Sequence, residues 1–345
     1  MDAQTPRGSA SRPNVYDVAR RAGVSIATVS RVHRGNGPVA SETRARVQAA
    51  MDELGWSPSV PAQALAGDNH NAVALVFPEL VGRYYSEVLR GFEAEAVRRQ
   101  QAVLILAAHQ RKDNDAMVRD LAGRVDGMVI MDRTIADGTA ADVQRRGVPV
   151  LLLARPSIED VPAVRVAGAD PTRELTTHLL DHGRRRLVFV GDPELSPDVA
   201  ERWRAFGDAH AVAGLARPTS PVATGGYQQH DGREAALAVL DTDGDARPDG
   251  LVCANDQLAL GAYQAAARLG LSIPDDLAVT GWDDDPFAAH MDPPLTTVNQ
   301  PMYDLGACAA ELLFERLDGD VVGDVTLTAS FVVRSSCGCV EGASR

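Results

Sequence analysis

From Asn71 onward, apolar runs of four to six residues alternate with stretches of helical periodicity. That alternation restricts the chain to parallel strands joined by helical crossovers, because each strand's apolar faces need helices to cover them. The strand candidates are Val73 to Phe77, Val103 to Ala107, Gly127 to Met131, Val148 to Leu153, Leu187 to Gly191, Gly250 to Cys253 and Leu277 to Thr280. Between them lie helical stretches such as Tyr84 to Arg99, Pro171 to Asp181, Val199 to Ala213 and Gln257 to Leu269. Two doubly wound sheets account for this count better than one, which implies a two-lobed α/β body. No repeat of solenoid length interrupts the pattern.

A chain of 345 residues exceeds one ordinary core, and the residues ahead of Asn71 differ in kind. Met1 to Gly67 carry eight arginines against five acids, a charge of +3, which leaves -16 of the total -13 on the remainder. A basic head on an acidic body fits a protein that touches nucleic acid at one end only. No apolar run is long enough to span a membrane, and Met1 to Arg12 lack the apolar stretch of a secretory signal, so a cytoplasmic protein without a membrane partner is expected.

Residues 1–13 have no periodicity and read as a disordered leader. Three short helices are then expected. The first runs from about Val15 to Ala22, with Asn14 as cap, Asp17 three places on and Gly23 as stop. The second starts at Ser25 and continues to about His33. After Gly35-Asn36-Gly37-Pro38, Ser41 is expected to cap a third, whose Val47, Met51 and Leu54 share one face until Gly55 ends it. Two helices joined by a tight glycine turn would bury Val18, Ala19, Ala22, Val24, Val29 and Val32. Ile26, Ala27, Ser30 and Arg31 are left outward, the arrangement of a helix-turn-helix that enters a major groove.

At these residues the chain resembles the lactose repressor (LacI/GalR) family of transcription regulators. The shared words are Tyr16-Asp17-Val18-Ala19, Ala22-Gly23-Val24-Ser25, Thr28-Val29-Ser30-Arg31-Val32, Thr43-Arg44, Leu54-Gly55-Trp56-Ser57-Pro58 and Ala62-Gln63-Ala64-Leu65-Ala66, without gaps from Val15 to Gly67. The resemblance implies a helix-turn-helix domain over residues 14–58 and a hinge helix or linker over 59–69. It makes Ile26, Ala27 and Arg31 base readers, with Thr28, Ser30 and Ser41 on phosphates. Arg31 suits a guanine, and Ile26 and Ala27 suit thymine methyls. Leu65 takes the place of the leucine that wedges into the minor groove. Pro61 departs from the pattern, although a first helical turn tolerates it.

The resemblance extends over about Asn71 to Arg334, to the family's sugar-binding core and its periplasmic-binding-protein-like fold. It rests on Cys253-Ala254-Asn255-Asp256-Gln257-Leu258-Ala259-Leu260-Gly261-Ala262, Val279-Thr280-Gly281-Trp282-Asp283-Asp284 and Pro293-Pro294-Leu295-Thr296-Thr297-Val298-Asn299-Gln300. It implies a two-lobed effector-binding and dimerisation domain over residues 70–345, with one lobe from about 70–168 and 299–328 and the other from 169–298 and 329–345. Arg204, Asn255, Asp283 and Gln300 are carried over as hydroxyl partners, Tyr227 as a stacking ring, and Tyr84 and Tyr85 as aromatics at the cleft mouth. Ala154 stands where many relatives carry an aspartate, with Met131 and Asp132 at the end of the third strand. Purine-responsive relatives carry an arginine six residues before the position of Arg204, whereas this chain has Asp198 there. The implied protein is a homodimeric regulator, a repressor before an activator, that reads pseudo-palindromic operator DNA and answers a small polar effector. A sugar comes first, with a nucleoside or purine, or a sugar-binding protein that reads no DNA, as alternatives.

No cofactor is expected, and no enzyme motif survives its context: Gly35-Asn36-Gly37-Pro38 follows a helix, not a strand, so it cannot cradle a dinucleotide phosphate. The eight histidines form no metal motif in sequence. Cys253 and Cys308 sit in apolar stretches and read as buried thiols. Cys337 and Cys339 have no metal-ligand partners at nearby spacing and read as an exposed, oxidisable tail.

Overall fold

The alternation of strands and helices is realised in the computed structural model, which describes residues 13–35, 37–56, 70–108, 112–242 and 244–339. The chain divides into two units, Met1–His70 and Asn71–Arg345. The hinge, including Pro61 and Leu65, lies outside the described residues, as do Ser57, Pro58 and the leader apart from Pro13.

In the head, local chemistry sets every helix end. Helix α1 (Val15–Ala22) opens on a reciprocal box in which Asn14 accepts from the amides of Tyr16 and Asp17, while the Asp17 carboxylate accepts from the Asn14 amide at 3.0 Å. Gly23 ends it at φ 64°, a left-handed conformation that glycine adopts without cost. Helix α2 (Ile26–Arg34) starts from Ser25, whose hydroxyl accepts from the Thr28 amide at 3.2 Å. Helix α3 (Ser41–Leu54) corrects one expectation: Ala40 holds the cap position, and Ser41 already lies in the first turn, where its hydroxyl makes no capping bond. Val18, Val29 and Val47 meet at the centre with Ala22, Val32, Ala50 and Met51, while Val24 and Leu54 pack only partly buried at the edge.

The first sheet of the body holds β1 (Ala72–Phe77), β2 (Ala102–Ala107), β3 (Gly127–Met131), β4 (Val150–Leu153), β5 (Ala163–Ala167) and β10 (Val325–Thr328). All run parallel in the order β10-β5-β4-β3-β1-β2. Alternate residues face opposite sides, as a strand requires. Val73, Leu75, Phe77, Val129 and Leu151 pack on α4 (Arg83–Arg98) and α11 (Met302–Asp318). Ala74, Val76, Met128, Ile130 and Leu152 pack on α5 (Asn114–Leu121) and α6 (Asp137–Arg145).

The second lobe is built on parallel β6 (Leu187–Val190), β7 (Gly250–Cys253) and β8 (Ala278–Thr280), flanked by α7 (Ala169–Asp181), α8 (Pro197–Val212), α9 (Gln229–Leu240) and α10 (Asp256–Leu269). The chain passes between lobes at Gly168, at β9 (Thr297–Asn299) and at β11 (Ser330–Val332), and the last two pair antiparallel. These four short strands, β5 and β9 to β11, had no signal in the apolar runs.

Each lobe contains a helix pair in near backbone contact. A Cβ on Gly306 of α11 would overlap the carbonyl of Val88 on α4, and one on Gly91 of α4 would overlap that of Tyr303 on α11. Gly232 of α9 and Gly261 of α10 repeat the device, with Leu258 and Gln229 as the overlapped residues.

The C-terminal turn corrects a second expectation. Cys337 is wholly buried against His178 of α7, and Cys339 is half-buried against His178 and His182, the residue that caps the end of α7, so the cysteines form no exposed tail and two histidines do gather with them. Spacing alone missed this because the partners lie about 160 residues apart in the chain. Cys253 is buried, whereas Cys308 is only partly covered.

Candidate functional site

Parallel sheets present loops at the carboxyl ends of their strands, and there a cleft of about 700 Å³ opens between the lobes. Tyr84, Tyr85, Tyr227, Asn255, Asp283 and Gln300 all line it. Arg204 does not. It lies exposed on α8, its Nε donates to the Ala200 carbonyl at 3.2 Å, and it borders a separate hollow.

The arginine in the cleft is Arg202, two residues earlier. Helical periodicity explains the difference: Val199, Arg202, Phe206 and Ala209 form the buried stripe of α8, and position 204 falls opposite. Arg202 lies over the Trp282 ring at 4.0 Å from its centroid, donates to the Ala254 carbonyl at 2.7 Å and reaches Gln300 Oε1 at 3.4 Å. Its buried Nε donates to no protein acceptor among the described residues. Gln300, also accepting from the Trp282 indole, is buried and holds Arg202 in place. Counted from Arg202, the position six residues earlier is Ser196, again not arginine.

Five carboxylates line the cleft with this guanidinium: Glu79 after β1, Asp132 at the end of β3, Asp198 on α8, and Asp283 and Asp285 after β8. Burial pushes Asp283 well above the usual carboxylate range, with Asp256 adding to the shift and Arg202 opposing it. Burial likewise raises Asp198 to about 6 against the pull of Arg202, and raises Asp132 against Arg155 and Arg133. Neither Asp132 nor Asp198 stood among the expected effector contacts; lining positions at strand and helix ends would have been the signal. The backbone is strained at the same rim, where Arg133, Ala154 and Asp283 have φ of 61°, 56° and 115°.

Asn255 is committed elsewhere. It caps α10 by accepting from the Leu258 amide at 2.8 Å and donates to the Tyr227 carbonyl at 3.0 Å, so it fixes the Tyr227 loop. The Tyr227 hydroxyl donates to the Asp192 carbonyl at 3.3 Å, and its ring is left to border the cleft. Tyr84 and Tyr85 meet edge to face at 5.4 Å. Across the cleft, Arg83 and Asp285 form an ion pair at 3.5 Å that joins the lobes.

Beneath the cleft, buried Asp256 ties three segments: it accepts from the Thr297 hydroxyl at 2.6 Å and from the Asp285 amide at 2.7 Å, and its own amide donates to the Trp282 carbonyl. Burial raises it to about 7 despite those bonds. Asp198 and Asp256 thus bind protons more tightly folded than unfolded. Their contribution to stability is complete below about pH 4 and is lost as the pH climbs through their folded values. Asp198→Asn should therefore flatten the pH dependence of urea unfolding between pH 5 and 8 and stabilise the body by about 1–2 kcal/mol at pH 8. An unchanged profile would place Asp198 in water.

On the head, Ile26, Ala27 and Arg31 are exposed on α2, and Thr28 and Ser30 partly so, with Ser41 exposed at the start of α3. The Thr28 hydroxyl shares a hydrogen bond with Ser25 at 2.9 Å. The Arg31 stem runs beside Gly37, where a Cβ would meet its Cδ at 3.6 Å. Tyr16, 62% exposed on α1, is a further surface group that was not singled out as a contact.

Comparison with known proteins places these two units. Residues 14–59 match the model of bacterial regulatory proteins, lacI family, and residues 176–337 that of a periplasmic binding protein-like domain. Catabolite control protein A of Priestia megaterium is 31% identical over 312 residues, which cover 89% of this chain and 93% of that protein. The lac repressor dimer bound to operator and the anti-inducer ONPF superposes with a TM-score of 0.79 at 28% identity, covering 95% of this chain and 99% of that one. A complex of the transcriptional regulator CelR with cellobiose gives 0.71 at 28% identity over 94% of this chain and all of the other. Among the described residues no helix is long and apolar enough to cross a membrane.

Proposed function

This chain belongs to the lacI family of bacterial regulatory proteins, and from that premise we propose that a sugar held in the Arg202 cleft switches the affinity of its head for an operator. The protein is a DNA-binding transcription regulator, not an enzyme. It acts as a cytoplasmic homodimer and a repressor. Two heads related by a dyad read the two halves of a pseudo-palindromic site. The apolar edge of β2, where Leu104 and Ile105 are exposed, suits a surface that a twofold partner covers.

The observation that carries the effector class is the Arg202 guanidinium on Trp282, with Asp132, Asp198 and Asp283 around it and the rings of Tyr84 and Tyr227 at the walls. Paired donors and acceptors beside aromatic faces match the vicinal hydroxyls and apolar ring face of a sugar. Ser196 in place of an arginine favours a sugar over a purine. Arg202 and Asp283 hold hydroxyls, Gln300 and Asn255 position the residues beside them, and Tyr84, Tyr85 and Tyr227 supply the platform. In the head, Ile26, Ala27 and Arg31 read bases, and Thr28, Ser30 and Ser41 hold phosphates. The wedge role of Leu65 belongs to the same proposal. Coupling is reciprocal, so operator must change effector affinity by the factor that effector changes operator affinity.

The test is selection of bound sequences from random duplexes, followed by competition with a panel of sugars and nucleosides. The expected result is a palindrome whose retention one sugar alters. Arg31→Ala should relax the preference at one base pair per half-site, by about 1–3 kcal/mol or roughly 10- to 100-fold in discrimination. A uniform loss across all sequences would make Arg31 a phosphate contact instead.

A further inference from the structure

Away from the cleft, the turn after β11 carries two thiols to two imidazoles. His178 on α7 and His182, which caps its C-terminal end, are four residues apart, with ring centroids 4.5 Å apart. The Cys339 Sγ lies 3.5 Å from Nε2 of His178 and 3.3 Å from Nε2 of His182. The Cys337 Sγ lies 3.3 Å from the same His178 nitrogen. Gly338 between the thiols has φ 106°, which lets the chain double back so that both can face α7.

We propose that His178, His182 and Cys339, joined by Cys337, form a binding site for a zinc-class divalent cation that fastens the C-terminal turn to α7. The site is independent of the effector cleft and of the operator reading. Its donor set is the one such ions select, borderline imidazole with soft thiolate and no carboxylate. The spacing fits as well. Zinc bonds of about 2.3 Å to sulfur and 2.0–2.1 Å to nitrogen at a tetrahedral angle put sulfur and nitrogen about 3.6 Å apart. The three S···N separations of 3.3, 3.5 and 3.3 Å are close to that edge, so small side-chain rotations admit the ion. His178, His182 and Cys339 offer ligand atoms that all lie within 4.8 Å of one another. Cys337 is deeper, where Thr296 donates to its sulfur at 3.2 Å, and it closes the fourth position by turning from the Arg334 carbonyl that it otherwise meets. Binding replaces the thiol protons, which leave to solvent.

The test uses the full chain, reduced with a phosphine, stripped by chelator and titrated with cobalt(II). The expected outcome is one equivalent per chain, with the strong visible bands of a tetrahedral ion, a thiolate-to-metal charge-transfer band, and displacement by zinc. Cys339→Ser and His182→Ala should each weaken binding by at least about 100-fold, more than a lost second-layer partner would. Cys337→Ser should weaken the charge-transfer band without abolishing it. Zinc should raise the melting midpoint of the unmodified chain and leave that of Cys339→Ser unmoved. Because the wild-type spectrum reports directly on ligand type, a misfolded variant does not decide the matter. Cobalt bound without a thiolate band, or bands unaffected by Cys339→Ser, would overturn the site.

Discussion

Arg202→Ala should abolish the effector response and leave operator binding in the absence of effector intact, with effector affinity falling about 100-fold or more. Hydrogen bonds to a charged group contribute about 1.5–3 kcal/mol each, and in the guanidinium Nε has no protein acceptor among the described residues while NH2 has only the long 3.4 Å bond to Gln300. Its loss also removes the positive charge that opposes burial at Asp198 and Asp283, so these carboxyls hold protons more firmly and accept sugar hydroxyls less well. Arg202→Lys should recover part of the affinity, since an ammonium keeps the charge but not the planar fork. Arg204→Ala, on the exposed side of α8, should stay within about twofold, the scale of a surface change. Titration calorimetry with the selected sugar measures all three. Full affinity in Arg202→Ala, or a large loss in Arg204→Ala, would move the effector site out of this cleft.

Gly306→Ala should destabilise the first lobe by about 3 kcal/mol or more, because the added methyl occupies the space of the Val88 carbonyl and α11 must retreat from α4. Backbone cannot rotate aside as a long side chain can. Gly91→Ala meets the same crossing from the other helix, and the double substitution should cost less than the sum of the two single losses, as changes in one contact do. Gly138→Ala is the control: exposed, in α6, with nothing within 4 Å, it should be neutral or slightly stabilising. Urea unfolding followed by tryptophan fluorescence and by circular dichroism distinguishes local loss from global loss. Equal midpoints for Gly306→Ala and Gly138→Ala would mean that the helices part at no cost.

The head was legible because its decisions are local. Asn14 with Asp17, Ser25 with Thr28, and the glycines at 23, 35 and 55 set helix ends within a few residues of themselves. Ser41 misled for a local reason too, since a serine at the start of a helical stretch reads as its cap, whereas the backbone turns one place earlier, at Ala40. In the body, apolar runs located seven strands to within two residues, but β5, β9, β10 and β11 are short, and polar residues interrupt β9 to β11. The cleft was legible as a set of loops rather than as directions of side chains. Arg202 and Arg204 are equally plausible as letters, and only the buried phase of α8, read from Val199 and Phe206, separates them. The gathering of Cys337 and Cys339 with α7 depends on the whole fold returning the chain to its second lobe, which no local spacing encodes.

The glycine crossings also bear on movement. In each lobe a helix pair is locked at the level of the main chain, so a lobe has little freedom to bend or to slide one helix along the other. What remains free is rotation of one solid block against the other about the three strands of chain between them, Gly168, β9 and β11, two of which are laced together by Phe331 opposite Val298. Under the proposed function, a molecule held in the cleft acts as a wedge or a latch on the angle between the lobes.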